Sequence, residues 1–353
     1  MPAPERLLER YRDRLAGVDE TFPISLGEGN TPLIHATRLG AALGLDRLYL
    51  KVEGSNPTGS FKDRGMVLAV NRAVAAGARA VVCASTGNTS ASAGAYAAAA
   101  GLQCLVVLPA GKVARGKLAQ AVAAGARLVM VDGNFDQALD AVRALGASGE
   151  AVVVNSVNPD RLIGQQTVAW EIADALDGPP DAVALPVGNA GNITAAWRGF
   201  AWLAREQGAA PPRMLGFQAA GAAPIVSGHP VADPETVATA IRIGNPASWR
   251  GATTARDESG GLIEAVTDDQ ILGAQADIAR LEGVFCEPAS AAGVAGVRRL
   301  AENGRLDRST SVVCILTGHG LKDPDSAPGA AGDLESAVPV PPTVDAIRRA
   351  IDG

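Results

Sequence analysis

Short β-branched runs recur along the chain with alanine-rich helical stretches between them, and this alternation restricts the fold more than any other feature. The runs expected as strands cover residues 48–52, 80–84, 104–108, 128–131, 152–154, 182–187, 214–217 and 312–316. Helical stretches between them include 63–76, 89–100, 117–124, 162–176 and 193–206. Parallel strands need a crossover connection, so strand–helix alternation predicts parallel or mostly parallel sheets flanked by helices, an α/β fold. A hexapeptide, Val74-Ala75-Ala76-Gly77-Ala78-Arg79, returns as Val122-Ala123-Ala124-Gly125-Ala126-Arg127, each time just before a β-branched run. Glycine just past a helix end takes the left-handed cap without strain, so the two copies mark equivalent helix-to-strand junctions. With 353 residues the chain is long enough for two lobes. The expected division is a larger lobe from 1–50 and 151–353, with a smaller α/β lobe, 51–150, inserted into it. Residues 323–338, rich in Pro, Ala, Gly and Ser, read as a loop before a last short helix over 344–351.

Composition excludes several function classes. A net charge of −6 argues against a nucleic-acid partner, which requires a basic surface. The start of the chain reads as a charged amphipathic helix without the apolar centre of a signal peptide. The most apolar stretch, 93–110, is broken by Gly101 and Gln103 and reads as a helix followed by a buried strand, not a membrane span. Cys83, Cys104, Cys286 and Cys314 show no CxxC or His/Cys ligand spacing, so buried free thiols, no metal site and a cytoplasmic location are expected.

Four segments carry chemistry. In Lys51–Gly65, a strand runs into a turn at Asn56, Pro57 and Gly59, and Ser60-Phe61-Lys62-Asp63-Arg64 then opens a helix with Ser60 as a candidate cap. Lys62 would lie at the positive helix end with Arg64 nearby, and both effects favour a neutral, nucleophilic amine. Ser85, Thr86, Gly87, Asn88 and Thr89 follow a strand and open a helix, an arrangement suited to holding an anion on backbone N–H groups and hydroxyls. Gly188-Asn189-Ala190-Gly191-Asn192 lies between another strand and helix. It lacks the Lys-Ser/Thr of a P-loop and the GxGxxG of a dinucleotide fold, and suits a single phosphate. Thr317-Gly318-His319-Gly320 follows the 312–316 strand, where ligands bind in open α/β sheets. Thr317 could bond a ring nitrogen, whereas His319 between two glycines reads as structural. Each segment taken singly also fits an ordinary capped turn or a solvated lysine.

Together the four segments resemble the fold type II, tryptophan-synthase-β-like enzymes that use pyridoxal 5′-phosphate (PLP). The Ser60–Gly65 box matches the cofactor-lysine motif of their threonine synthase and threonine/serine dehydratase branch. Three further segments are similar to threonine synthases: Gly27-Glu28-Gly29-Asn30-Thr31-Pro32-Leu33, Ile241-Arg242-Ile243-Gly244-Asn245-Pro246, and Thr317 through Asp323. The resemblance spans roughly 27–324 and implies an active site between two lobes. It implies that Lys62 carries PLP as a Schiff base and acts as the proton-transfer base. Asn88 would bond the cofactor's phenolic oxygen, Gly188 through Asn192 its phosphate, and Thr317 its pyridine nitrogen. Ser85, Thr86 and Thr89 would hold the substrate carboxylate. Asn155, Ser156 and Arg161, with Asn189 shared, would hold a substrate phosphate.

The implied reaction converts O-phospho-L-homoserine and water to L-threonine and phosphate, and a homodimer is the family-level expectation. Dehydration of threonine or serine on the same lysine is the nearest alternative, in which Arg161 would have no phosphate to bind. A catalytically silent PLP or metabolite-binding protein is the alternative of a different class, and an intact Lys62 argues against it. The short stretches outside the resemblance lead us to expect no regulatory domain.

Overall fold

Residues 5–15, 22–110, 115–133, 135–324 and 339–352 are described by a computed structural model. Ten strands are ordered as β1 (Leu33–His35), β2 (Arg47–Val52), β3 (Ala80–Ala84), β4 (Gln103–Pro109), β5 (Arg127–Val131), β6 (Val152–Val153), β7 (Ala182–Pro186), β8 (Arg213–Ala219), β9 (Leu262–Val266) and β10 (Ser311–Leu316). The helices that position the site are α1 (Leu7–Arg10), α2 (Thr37–Leu43), α3 (Lys62–Ala75), α4 (Asn88–Ala100), α5 (Arg115–Ala123), α6 (Phe135–Ala147), α7 (Pro159–Gln165), α8 (Thr167–Leu176) and α9 (Gly191–Gln207). They are followed by α10 (Pro224–Ser227), α11 (Trp249–Glu258), α12 (Asp268–Glu282), α13 (Pro288–Glu302) and α14 (Val344–Asp352). The loop expected over 325–338 lies outside the described residues.

The strands form a six-stranded sheet, β1-β2-β10-β7-β8-β9, and a four-stranded sheet, β5-β4-β3-β6. Every pairing is parallel except β1 with β2, as strand–helix alternation requires. β7 and β10 are buried along their whole length, which is why they read as unbroken apolar runs. The expected lobe limit at residue 150 falls short of the smaller sheet, because Val152 and Val153 pair with Val81 and Val82 of β3. The repeated hexapeptide behaves alike in both copies. Gly77 and Gly125 take φ +72° and +83°, and Ala78 and Ala126 donate back to Ala73 and Ala121 to close the helix ends. The helix expected over 162–176 is two helices, parted at Gln166 where Thr167 Oγ1 donates to the Gly164 carbonyl. All four cysteines are buried and free. Among the described residues no helix is long and apolar enough to cross a membrane.

Between the two sheets lies a buried charge cluster. Arg64, fully buried, donates from Nε to Glu53 Oε2 at 2.6 Å, from Nη2 to Glu53 Oε1 at 2.7 Å, and from Nη1 and Nη2 to Glu171 at 2.9 and 2.7 Å. Lys51 Nζ donates to Glu171 at 2.8 Å and to the Thr31 carbonyl at 2.7 Å. Two cations thus face two carboxylates, with Thr31 and Thr167 hydroxyls completing the set. Burial alone would push the Glu171 carboxyl up, but Arg64 and Lys51 hold it well below the usual carboxylate range. The cluster joins the N-terminal segment, β2, α3 and α8. Removing one partner of such a set leaves an uncompensated buried charge. Arg64→Met therefore is expected to lower the unfolding free energy by about 3–5 kcal/mol, read as a lower urea midpoint at unchanged slope. A midpoint equal to wild type would show that the cluster carries no stability.

Candidate active site

The cleft between the sheets has a volume of about 1550 Å³ and is floored by loops that leave the C-terminal ends of strands. The Lys62 loop follows β2, residues 85–87 follow β3, Asn155 and Ser156 follow β6, residues 187–190 follow β7, and residues 317–319 follow β10. Of the residues expected in the site, Lys62, Ser85, Thr86, Asn88, Thr89, Asn155, Ser156, Gly188 through Asn192, and Thr317 all line this cleft; Arg161 does not.

Backbone pairing fixes the lysine loop. Ser60 bridges to Gly318, the Phe61 amide donates to the Thr317 carbonyl at 3.0 Å, and the His319 amide donates to the Gly59 carbonyl at 2.9 Å. Lys62 begins α3, and Ser60 Oγ accepts from its amide at 3.4 Å, a long bond for the expected cap. The Asp63 carboxylate turns inward to Thr58 and Ser92. Burial above all, and then the charge of Arg161, bring the Lys62 ammonium down to about 7, with Glu287 opposing. The sequence pointed to Arg64 as the neighbouring cation. Arg64 instead is neutralised by Glu53 and Glu171, and Arg161 supplies the positive field.

Arg161 is not the solvated helix-start residue that its position also allowed: it is 0% exposed. Its Nη1 donates to the Val154 carbonyl at 2.8 Å, while Nε and Nη2 find no partner among the described residues. Burial pushes its guanidinium down to about 10. Close packing of α3 on α7 creates this setting. A Cβ on Gly164 would come within 2.2 Å of the Arg64 carbonyl, and one on Gly65 within 2.5 Å of the Arg161 carbonyl. An unpaired buried guanidinium is costly and favours an anion beside it.

The other groups are partly engaged. Asn155 pairs with both backbone groups of Ala84, accepting at 3.0 Å and donating at 2.9 Å, so it extends the ladder beyond β6 and braces the 85–89 turn. One Nδ2 hydrogen of Asn155 remains free for a ligand. Ser85 Oγ accepts from the Gly87 amide, which leaves its proton to donate. Asn189 Oδ1 accepts from the Ala247 amide at 2.7 Å. Ala190 holds φ +65°, an uncommon conformation for a non-glycine residue, immediately before the N-terminus of α9. A Cβ on Gly188 would come within 2.8 Å of Ile241 Cα, so only glycine allows that approach. Asn192 Nδ2 is buried without a partner among the described residues. The Thr317 hydroxyl lies 3.0 Å from Ser290 Oγ. His319 is structural, as expected, its Nδ1 accepting from the Leu321 amide.

Three cleft residues escaped assignment from sequence. Ser290 sits on α13, far along the chain from Thr317. Lys322, within a segment that the sequence singled out, bonds Gln120 of α5 across the cleft. Glu287 precedes Pro288, and that pair reads simply as a helix start. With the Lys62 ammonium at about 7, amine acylation of the protein prepared free of cofactor is expected to show a half-maximal rate for Lys62 near pH 7. Ordinary lysines reach theirs near pH 10. Peptide mass spectrometry across a pH series measures this, and a Lys62 profile superimposed on surface lysines would contradict it.

Comparisons with known proteins agree with this geometry. The family model described as pyridoxal-phosphate dependent enzyme matches residues 24–318. The chain is 55% identical over 321 residues to a threonine synthase of Bacillus sp. (strain ULM1), covering 91% of each chain. It is 55% identical over 338 residues to the threonine synthase of Mycobacterium tuberculosis (strain ATCC 25618 / H37Rv), covering 95% of this chain and 92% of that one. The threonine synthase of Methanocaldococcus jannaschii is 52% identical over 332 residues, 90% of this chain and 81% of the relative. Among solved structures, maize serine racemase superposes with a TM-score of 0.73 at 20% identity over 83% of this chain and 88% of that one, a likeness of fold. A bacterial-type threonine deaminase, from T.th., superposes at 0.69 with 27% identity over 82% and 92%. With a matched family, lysine loop and glycine loop in one cleft, the chain belongs to the pyridoxal-phosphate-dependent enzymes.

Proposed function

We propose that the chain converts O-phospho-L-homoserine and water to L-threonine and phosphate, the reaction of a threonine synthase. What carries this reading is identity of 52–55% with relatives of that name over most of both chains. The contribution of geometry is Arg161, a buried guanidinium with two free donors whose field reaches Lys62.

The residues present fit PLP. Gly188 permits close backbone approach, the N-terminus of α9 and the unpartnered Asn192 Nδ2 suit a phosphate, and Lys62 is poised as a neutral amine. Gly188, Asn189, Ala190, Gly191 and Asn192 would hold the cofactor phosphate, Asn88 its phenolic oxygen and Thr317 its pyridine nitrogen. With the Ser290 proton directed to Thr317 Oγ1, the Thr317 proton is available to a neutral ring nitrogen. When bound, PLP supplies an electron sink that acidifies the substrate Cα–H.

The remaining roles belong to the chain. Lys62 Nζ takes the Cα proton, its lowered affinity for protons leaving it neutral at physiological pH. The N-terminus of α4 with Ser85, Thr86 and Thr89 orients the substrate carboxylate. Ser156 and Arg161, with Asn155 and Asn189, hold the substrate phosphate, which leaves as the carbon–oxygen bond at Cγ breaks; water then adds its oxygen at Cβ. The two lobes, divided near residues 51 and 150, close over the cleft, and the protein works in the cytoplasm as a homodimer. Threonine or serine dehydration is the second reading, favoured by the solved threonine deaminase at 27% identity. An unneutralised Arg161 counts against it, because those substrates bring no phosphate.

Incubation of the purified protein with O-phospho-L-homoserine and PLP is expected to release threonine and phosphate in equal amounts. Arg161→Leu should lower kcat/KM for that substrate about a hundredfold, the loss of two charge-assisted hydrogen bonds. It should lower the slow deamination of L-threonine far less. Threonine deamination without any phosphate release from O-phospho-L-homoserine would contradict the assignment.

A further inference from the structure

Glu287 is the one cleft group to which neither the motifs nor the proposed chemistry gives a task. Its carboxylate is 3% exposed and, among the described residues, receives no hydrogen bond from an arginine or lysine. Its side-chain partner is Asn88, whose Nδ2 lies 3.2 Å from Oε1 and 3.1 Å from Oε2. The fold holds the residue firmly: its amide donates to the Gly318 carbonyl at 3.0 Å, and Pro288 starts α13 immediately after it. Gly318 is tailored to it, because a Cβ there would fall 2.5 Å from Glu287 Oε1. The groups facing the carboxylate are Asn88 from α4, Lys62 from α3, and Lys322 and Asp323 from the turn after β10. Burial pushes the Glu287 carboxyl up, against the pull of Asn88, Lys322 and Lys62.

We propose that Glu287 is a positioning residue that locks the Asn88 carboxamide with its amide hydrogens toward the cofactor's phenolic oxygen and balances the charge on Lys62. The inference rests on the PLP reading of the cleft. An asparagine side chain presents an acceptor on one side and a donor on the other, and the two orientations are nearly equal in shape. A carboxylate has only acceptors, so it can bond Asn88 Nδ2 but not Oδ1. With one Nδ2 hydrogen spent on Glu287, the second is free to be donated into the cleft that Asn88 lines. A flipped Asn88 would instead aim oxygen at oxygen. The negative charge of Glu287 also favours the protonated form of Lys62 Nζ, opposing Arg161.

The test uses wild type, Glu287→Gln, Glu287→Ala, Asn88→Ala and the double variant Asn88→Ala/Glu287→Ala, each checked for folding by circular dichroism and titrated with PLP. Glu287→Ala is expected to raise the PLP dissociation constant about tenfold, as loss of one charged hydrogen bond does. Glu287→Gln keeps an acceptor for Asn88 and should stay within about threefold of wild type. The double variant should bind no worse than Asn88→Ala alone, because Glu287 acts through Asn88. In Glu287→Gln the pH midpoint of the visible band of the loaded enzyme should fall by about one unit, the effect of a removed neighbouring anion. That midpoint decides the matter if the alanine variants do not fold. Additive effects of the two alanine changes, or an unmoved midpoint in Glu287→Gln, would overturn the inference while leaving the PLP reading intact. A wild-type protein that develops no visible band with PLP would overturn both.

Discussion

The cluster of Lys51, Arg64, Glu53 and Glu171 is the constraint on which the rest of the molecule depends. Each carboxylate is held by hydrogen bonds from cations that have left water completely. Such a set adds little net stability over apolar packing, but it tolerates no error in register, since one missing partner strands a charge. That intolerance orients the start of α3 relative to β2 and α8. The same helix start presents Lys62 to the cleft, two residues before Arg64. Charge pairing inside the protein thus fixes where the reactive amine emerges, and backbone bonds from Thr317 and His319 hold the loop from the opposite side.

Charges inside the cleft are arranged unlike those of the chain as a whole. The chain is net acidic, at −6, yet Lys62, Lys322 and Arg161 gather around the site with Glu287 as the buried anion among them. Lys322, like Lys62, is brought down by burial. An anion-poor, cation-rich cleft is what a phosphorylated cofactor and a phosphorylated amino acid both require. The oriented N-termini of α4 and α9 extend that field without adding mobile side chains.

Much of this was legible in the sequence because the informative residues are local. All eight strands read from β-branched runs are present, to within a few residues at their ends. The lysine box, the 85–89 turn, the glycine loop and Thr317 each sit where one strand hands over to a loop. Two short or edge strands were missed. β1 has three residues, and β9 carries Glu264, which pairs with Arg299 and Arg305 and interrupts the apolar run. The misassigned cation has a similar cause. Proximity in sequence favoured Arg64 as the neighbour of Lys62, whereas Arg161 arrives through packing of α3 on α7 at Gly65 and Gly164. Glu287 lies 199 residues from the Asn88 that it holds. No periodicity or spacing encodes such a contact.

The central claim is that Lys62, and not the second lysine of the cleft, forms the bond to the cofactor. The most direct measurement is to load the protein with PLP, reduce it with borohydride and map the pyridoxyl group by peptide mass spectrometry. The account predicts one modified peptide, the one carrying Lys62, at close to one group per chain. A pyridoxyl group on Lys322, or label spread over surface lysines with Lys62 unmodified, would contradict it.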